Sequence, residues 1–202
     1  MKRAFVCGSA IAAALMMAAA LGAASASATV LCKENKSPCG TSAFGAGTEL
    51  KAQLGTFTLL FENMGTGQWL NECSQSTLNG KISNAGGVST PVAVPLSSAT
   101  ASSCLHPVEV LKPGSMEIRY LEGVGFAEVI FSQLEWKEGT CTYSTGTKYS
   151  AIGHLYNTES AGYGRLPVEI RAQGSGFLCP TGAKWITEYR VPVPNPFYVK
   201  PS

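Results

Sequence analysis

The chain of 202 residues contains no aspartate; all thirteen of its acidic residues are glutamate. Calcium loops built on spaced Asp, Ser-His-Asp triads and aspartyl nucleophiles are excluded as written, although Glu can stand in for some of these roles. Histidine is almost as scarce. His106, in CLHPVEV, stands beside a cysteine and a proline at the start of a strand, and His154, in AIGHLYN, falls on an alternating strand. Two isolated histidines do not make a zinc site. No serine occupies a Gly-x-Ser-x-Gly elbow. The Gly-x-Gly of EGVGFAEV lacks a third glycine and a following helix, so it reads as a tight hairpin and not as a dinucleotide fingerprint. A basic excess is also missing. Once Lys2 and Arg3 are set aside, thirteen Lys and Arg face thirteen Glu. With no Lys/Arg cluster, nucleic acid and anionic membranes lose their main attraction. These absences leave no cofactor and no metal to assign.

What is present begins with an export signal. Lys2 and Arg3 precede an apolar run rich in Ala, Leu and Met, and Ala26-x-Ala28 supplies small residues for cleavage. Residues 1–28 are therefore expected to be a signal peptide, helical while it lasts. The run is short for a bilayer span and ends in small, polar residues, so no integral span is expected after cleavage. Cys7 leaves with the signal, and neither Cys7 nor Cys32 has the Leu three residues before it that lipid anchoring requires. The mature part, 29–202, has the length of one ordinary domain, placed outside the cell or in its envelope.

Six cysteines remain there: Cys32, Cys39, Cys73, Cys104, Cys141 and Cys179. An even number in an exported chain reads as disulfides, and six allow about 15 pairings. Order and spacing favour neighbours, 32 with 39, 73 with 104 and 141 with 179, without excluding the other pairings. A metal site would want close Cys-x-x-Cys pairs or nearby His, and the sequence has neither.

Helical periodicity is nearly absent after Ala28, and alternation takes its place. TELKAQL sets Leu50, Ala52 and Leu54 on one side, and TFTLLFE sets Phe57, Leu59 and Phe61 on another. AEVIFSQLEW is more apolar and reads as a central strand. Gly-, Asn- and Ser-rich punctuation between such short runs predicts an all-β fold, a disulfide-stapled antiparallel sandwich of Ig-like or jelly-roll-like kind. Pro192, Pro194 and Pro196 predict an extended tail or an edge strand. A weak internal echo aligns GTELKAQL with GSMEIRYL, so that 47–104 and 114–179 read as a possible duplication.

Glu-x-Arg recurs at Glu117/Arg119, Glu169/Arg171 and Glu188/Arg190, each time between apolar neighbours. On a strand this puts the charges on a wet face and Met116, Ile118 and Tyr120, for example, on the other. Glu and Arg are then expected to pair across neighbouring strands.

For chemistry, a Ser-His-Glu arrangement through His154 and Glu159 is the weaker enzymatic option. The stronger is a glycoside hydrolase or lyase using two of Glu128, Glu135, Glu138 and Glu169, with Trp69, Trp136 or Trp185 as sugar platforms. Against it, Glu must also serve solubility as the sole acid, and Trp136 and Trp185 read as core fillers. The expected function is an exported, non-catalytic binding or structural protein with a surface polysaccharide or a protein as partner. A carbohydrate-active protein, either a binding module or a paired-Glu enzyme, is the alternative.

The stretches CSQSTLNGKISNAGG, VLKPGSMEI, CTYSTGT and GFLCPTGAKWITEYRVPVPNPFYV resemble a group of exported, β-rich actinobacterial proteins of the Solirubrobacter type, of unknown function. The resemblance covers most of 29–202 and implies a secreted β protein. It supplies no catalytic residue.

Overall fold

The computed structural model describes residues 29–201 except 88–89, 124–125, 147–150 and 157–162, and leaves out the side chains of Ala151, Ile152, His154 and Tyr156. The predicted signal, residues 1–28, thus lies outside the described residues. The chain is all-β, antiparallel and stapled by disulfides, with facing layers as in a sandwich.

Its strands are β1 (Val30–Cys32), β2 (Glu49–Leu54), β3 (Leu59–Asn63), β4 (Trp69–Lys81), β5 (Val92–Cys104), β6 (Val108–Lys112) and β7 (Ser115–Tyr120). There follow β8 (Phe126–Ser132), β9 (Glu135–Glu138), β10 (Cys141–Ser144), β11 (Ala151–Tyr156), β12 (Gly164–Ser175), β13 (Gly182–Val193) and β14 (Tyr198–Lys200). Pairing refines the connectivity. β2 pairs with both β13 and β4, and the ladder then runs β4–β5–β7–β8–β11–β12–β13, so the sheet closes on itself. The two layers are continuous at both edges, which makes the sandwich a flattened barrel. An Ig-like or jelly-roll-like chain returns a strand by a long crossover; in this barrel each course lies beside the one before it in the chain.

Four of the eight courses are single strands (β4, β5, β12, β13), and the other four are broken at mid-length into β2/β3, β6/β7, β8/β9 and β10/β11. The breaks have local causes. Between β2 and β3, Gly55 donates its N–H to the Glu188 carbonyl (3.0 Å), and a Cβ there would sit 3.1 Å from that oxygen. Between β6 and β7, Gly114 adopts φ 73°, and a Cβ would lie 2.4 Å from the Ser132 carbonyl, so only glycine fits. Gln133 breaks β8 from β9 at φ 58°, which ends AEVIFSQLEW as a single strand. Phe57, expected inside with Leu59 and Phe61, is exposed because it lies in the break before β3.

The interior is filled by alternate residues. Leu166, Val168, Ile170 and Ala172 of β12 and Ala183, Trp185, Tyr189 and Val191 of β13 all point inward and are buried. Tyr189 anchors the centre. The Trp185 indole donates to the Tyr189 hydroxyl (3.0 Å), and Ser76 donates to the Thr100 carbonyl (2.6 Å). The Ser76 proton being used, Tyr189 is the donor in the 2.7 Å contact between the two hydroxyls. Burial holds the Tyr189 phenol well above the usual tyrosine range, partly opposed by these Ser76 and Trp185 bonds.

The three disulfides join Cys32 to Cys39, Cys73 to Cys104 and Cys141 to Cys179. Cys73 and Cys104 are direct cross-strand partners on β4 and β5. The Glu-x-Arg repeats lie on the outer face, as expected, but two of the three pair along their own strand: Glu117 with Arg119 (2.9 Å) and Glu169 with Arg171 (2.8 Å). The cross-strand pair is Arg165 with Glu188 (3.0 Å from Nε), because Arg190 instead stacks over the Tyr163 ring at 4.8 Å.

One end of the barrel, the lower, is closed by its own chain. The proline-rich tail folds back as β14 and pairs with β1, Leu31 opposite Val199, so that Leu31, Phe197 and Val199 join the main core. Thr29 is buried there, donating its N–H to the Gly87 carbonyl and accepting the Tyr120 N–H at its hydroxyl.

Candidate functional site

The opposite, upper end carries the turns 64–68, 105–107, 139–140 and 176–181. Among the described residues the ladder between β5 and the β6/β7 course is confined to β7, while β6 pairs with β9. The turn between β5 and β6 is tied instead to β4, by the Cys73–Cys104 bond, by the Leu105 N–H donating to the Glu72 carbonyl (3.0 Å), and by one side chain. Asn71, buried on β4, donates Nδ2–H to the His106 carbonyl (2.8 Å) and accepts the His106 N–H at Oδ1 (3.0 Å). The β5–β6 turn is thereby bent over the mouth, and beneath it opens a cavity of about 440 Å³.

Its wall is mostly apolar: Leu70, Pro107, Tyr143 and Pro180, with His106 and Glu138 as the titratable groups besides the tyrosine. Tyr143 is stacked on Trp136 at 5.5 Å, and Trp136 meets Trp185 and Phe61 edge-on and tilted, which fixes the floor as rigid aromatic surface. Gly174 permits the closure. A Cβ there would lie 2.1 Å from the Pro180 carbonyl and 3.0 Å from the Tyr143 ring.

Glu138 is the feature that the packing does not explain. It shares the inward parity of Trp136 on β9, so its carboxyl faces the cavity. Its Oε2 is buried without a hydrogen-bond partner, and so is the Trp136 Nε1. Desolvation pushes the Glu138 carboxyl above the ordinary carboxylate range, against smaller pulls from Asn71 and His106. The Tyr143 phenol is raised as well, first by burial and then by the neighbouring Glu138 charge. Buried polar atoms in folded proteins nearly always have partners, so the Glu138 Oε2 on the cavity wall is the atom there open to a further hydrogen bond. At Oε2 a protonated Glu138 offers a donor and an ionised one an acceptor.

The structure does not bring the four candidate glutamates together. Glu135 pairs with Lys112 (2.8 Å) and Glu169 with Arg171 on the outer wall, and Glu128 alternates with the inward Ala127 and Val129. Glu138 alone of them lines the cavity. Trp136 and Trp185 are fully buried fillers, and Trp69 is exposed. The His154 side chain and Glu159 lie outside the described residues, as does part of the EGVG turn. Asn71 was not legible as a site residue. Glu138 was legible only as one of four glutamates for a paired-carboxylate enzyme; its place beside Tyr143 follows from the strand period, since a strand that buries Trp136 turns its second neighbour the same way. Among the described residues no group of His, Cys, Asp and Glu is placed to hold a metal ion, and no helix is long and apolar enough to cross a membrane. No protein-family model, curated protein or solved structure matches this chain.

Proposed function

We propose that the chain is an exported, non-catalytic binding protein of the extracellular space or cell envelope that takes a small, largely apolar molecule into its upper end. The molecule would carry one hydrogen-bond donor, as an amine, amide or hydroxyl, for Glu138. The single observation behind this reading is the half-buried carboxyl of Glu138, unpartnered at Oε2 in a mostly apolar cavity of about 440 Å³. That volume is within the range of small-molecule sites, which combine apolar walls with a few placed polar groups. Three disulfides suit an oxidising compartment and a binding scaffold that must stay rigid.

The test is to extract the exported protein with organic solvent, identify any small molecule by mass spectrometry, and titrate it back against tryptophan fluorescence. Glu138→Gln is expected to weaken binding by about tenfold or more, the worth of a hydrogen bond to a charged group. Retained affinity in that variant would remove the basis of the proposal. Polysaccharide binding, measured in parallel with reducing-sugar release, separates the carbohydrate-active alternative.

A further inference from the structure

The large apolar side chains left exposed are not scattered. Among the described residues Trp69 (67%), Leu105 (75%), Phe177 (88%) and Leu178 (89%) all belong to the upper end, while Phe57 and Leu111 lie on the side wall. Trp69 opens β4 just after the first upper turn, Leu105 lies in the second, and Phe177 and Leu178 form the tip of the fourth. Leu178 is held at φ 62°, a left-handed backbone that costs a non-glycine residue, next to the cysteine that bonds Cys141. Strain and near-complete exposure are thus combined at one tip.

We propose that this end docks on an uncharged lipid surface, inserting Trp69, Leu105, Phe177 and Leu178. Charge favours that occupant. The four upper turns contain no Lys, Arg or Glu; of the carboxyls next to them, Glu62 pairs with Lys184 (2.8 Å) and Glu138 faces the cavity, while Glu72 is half-buried below Leu105. A polybasic patch, which anionic lipid needs, is missing. The composition is interfacial: an indole with one polar edge beside purely apolar tips. Area disfavours a second copy of the chain. Four such side chains offer roughly 600 Å² together, short of the roughly 800 Å² per partner of a standard interface. They also stand on separate turns, which a fluid bilayer accommodates and a rigid flat partner does not. The proposal is independent of any ligand in the cavity.

The test is co-sedimentation of the exported protein with phosphatidylcholine vesicles. Binding is expected, unchanged in high salt, with quenching of emission by brominated lipid that is lost in Trp69→Phe because Trp136 and Trp185 are buried. The double variant Phe177→Ser/Leu178→Ser should lose about a hundredfold in partition at unchanged thermal stability, roughly tenfold for each side chain. Leu105→Ser, away from the disulfide, should lose about tenfold and guards against a misfolded double variant. A protein that stays in the supernatant, binds only anionic vesicles, binds equally well without the rim, or dimerises through it in lipid-free buffer overturns the proposal.

Discussion

At the lower end of the barrel Leu31, Phe197 and Val199 fill the opening, whereas at the upper end Leu70, Tyr143 and Pro180 line one. The difference comes from where the first and last strands go. Both terminal segments of the domain reach the lower end and pair there as β1 and β14, so spare apolar residues are available to close it. The upper end has only turns. Its turns are anchored, by Asn71 tying the β5–β6 turn to β4 and by the Cys141–Cys179 bond, but their large side chains, Leu105, Phe177 and Leu178, are exposed and leave the space beneath open. The same contrast separates the two touching tryptophans. Trp185 donates to Tyr189, while Trp136, 5.5 Å away and nearer the mouth, has no partner for its N–H.

The sharpest way to break the contrast is to open the plugged end. Phe197→Ala should cost about 3–5 kcal/mol, read as a fall in the urea midpoint, because the cavity adds to the lost transfer energy. A loss near zero would mean that the plug is decoration. Next, Tyr189→Phe removes the centre of the Trp185–Tyr189–Ser76 chain and leaves the Trp185 indole as orphaned as that of Trp136. The expected cost is about 1–3 kcal/mol in the same measurement.

Glu138→Gln carries the opposite sign. A carboxyl whose folded pKa is raised stabilises the fold below its unfolded value, about 4.3, and that advantage is lost as the pH rises through the folded pKa. The variant should therefore be more stable than the parent at neutral pH and equal to it in acid, by urea titration at both. A variant that is less stable at neutral pH would show that Glu138 is a structural ion. Smallest of all, Phe177→Ser should shift stability by under about 0.5 kcal/mol, since an exposed tip has little packing to lose.

Much of this was legible in the chain. Period-two alternation in LPVEIRA or KWITEYRV reveals the buried face directly, because a strand has no other way to place successive side chains. Alternation fails at irregularities. In β4 the inward parity changes between Cys73 and Ser76, and in β5 between Leu96 and Ala99, so a simple count misassigns half of each strand. The fate of the proline-rich tail was half legible. Missing N–H groups forbid a central strand, but nothing local says that Phe197 and Val199 enter the core. The cation of each Glu-x-Arg was expected across the strand and is mostly found along it, a choice made by side-chain reach on an open surface, where such pairs contribute little.

By itself the sequence determined the β class, the wet and dry faces, the absence of aspartate chemistry and the six cysteines that staple the fold. These follow from composition and from the two-residue period, which are local. Tertiary structure alone decided that the layers close into a barrel, that the lower end is sealed, and that Asn71, His106, Glu138 and Tyr143 share one mouth. The reason is distance along the chain: Asn71 and Glu138 stand on strands that closure of the sheet brings together, and no local pattern carries information about a meeting of that kind.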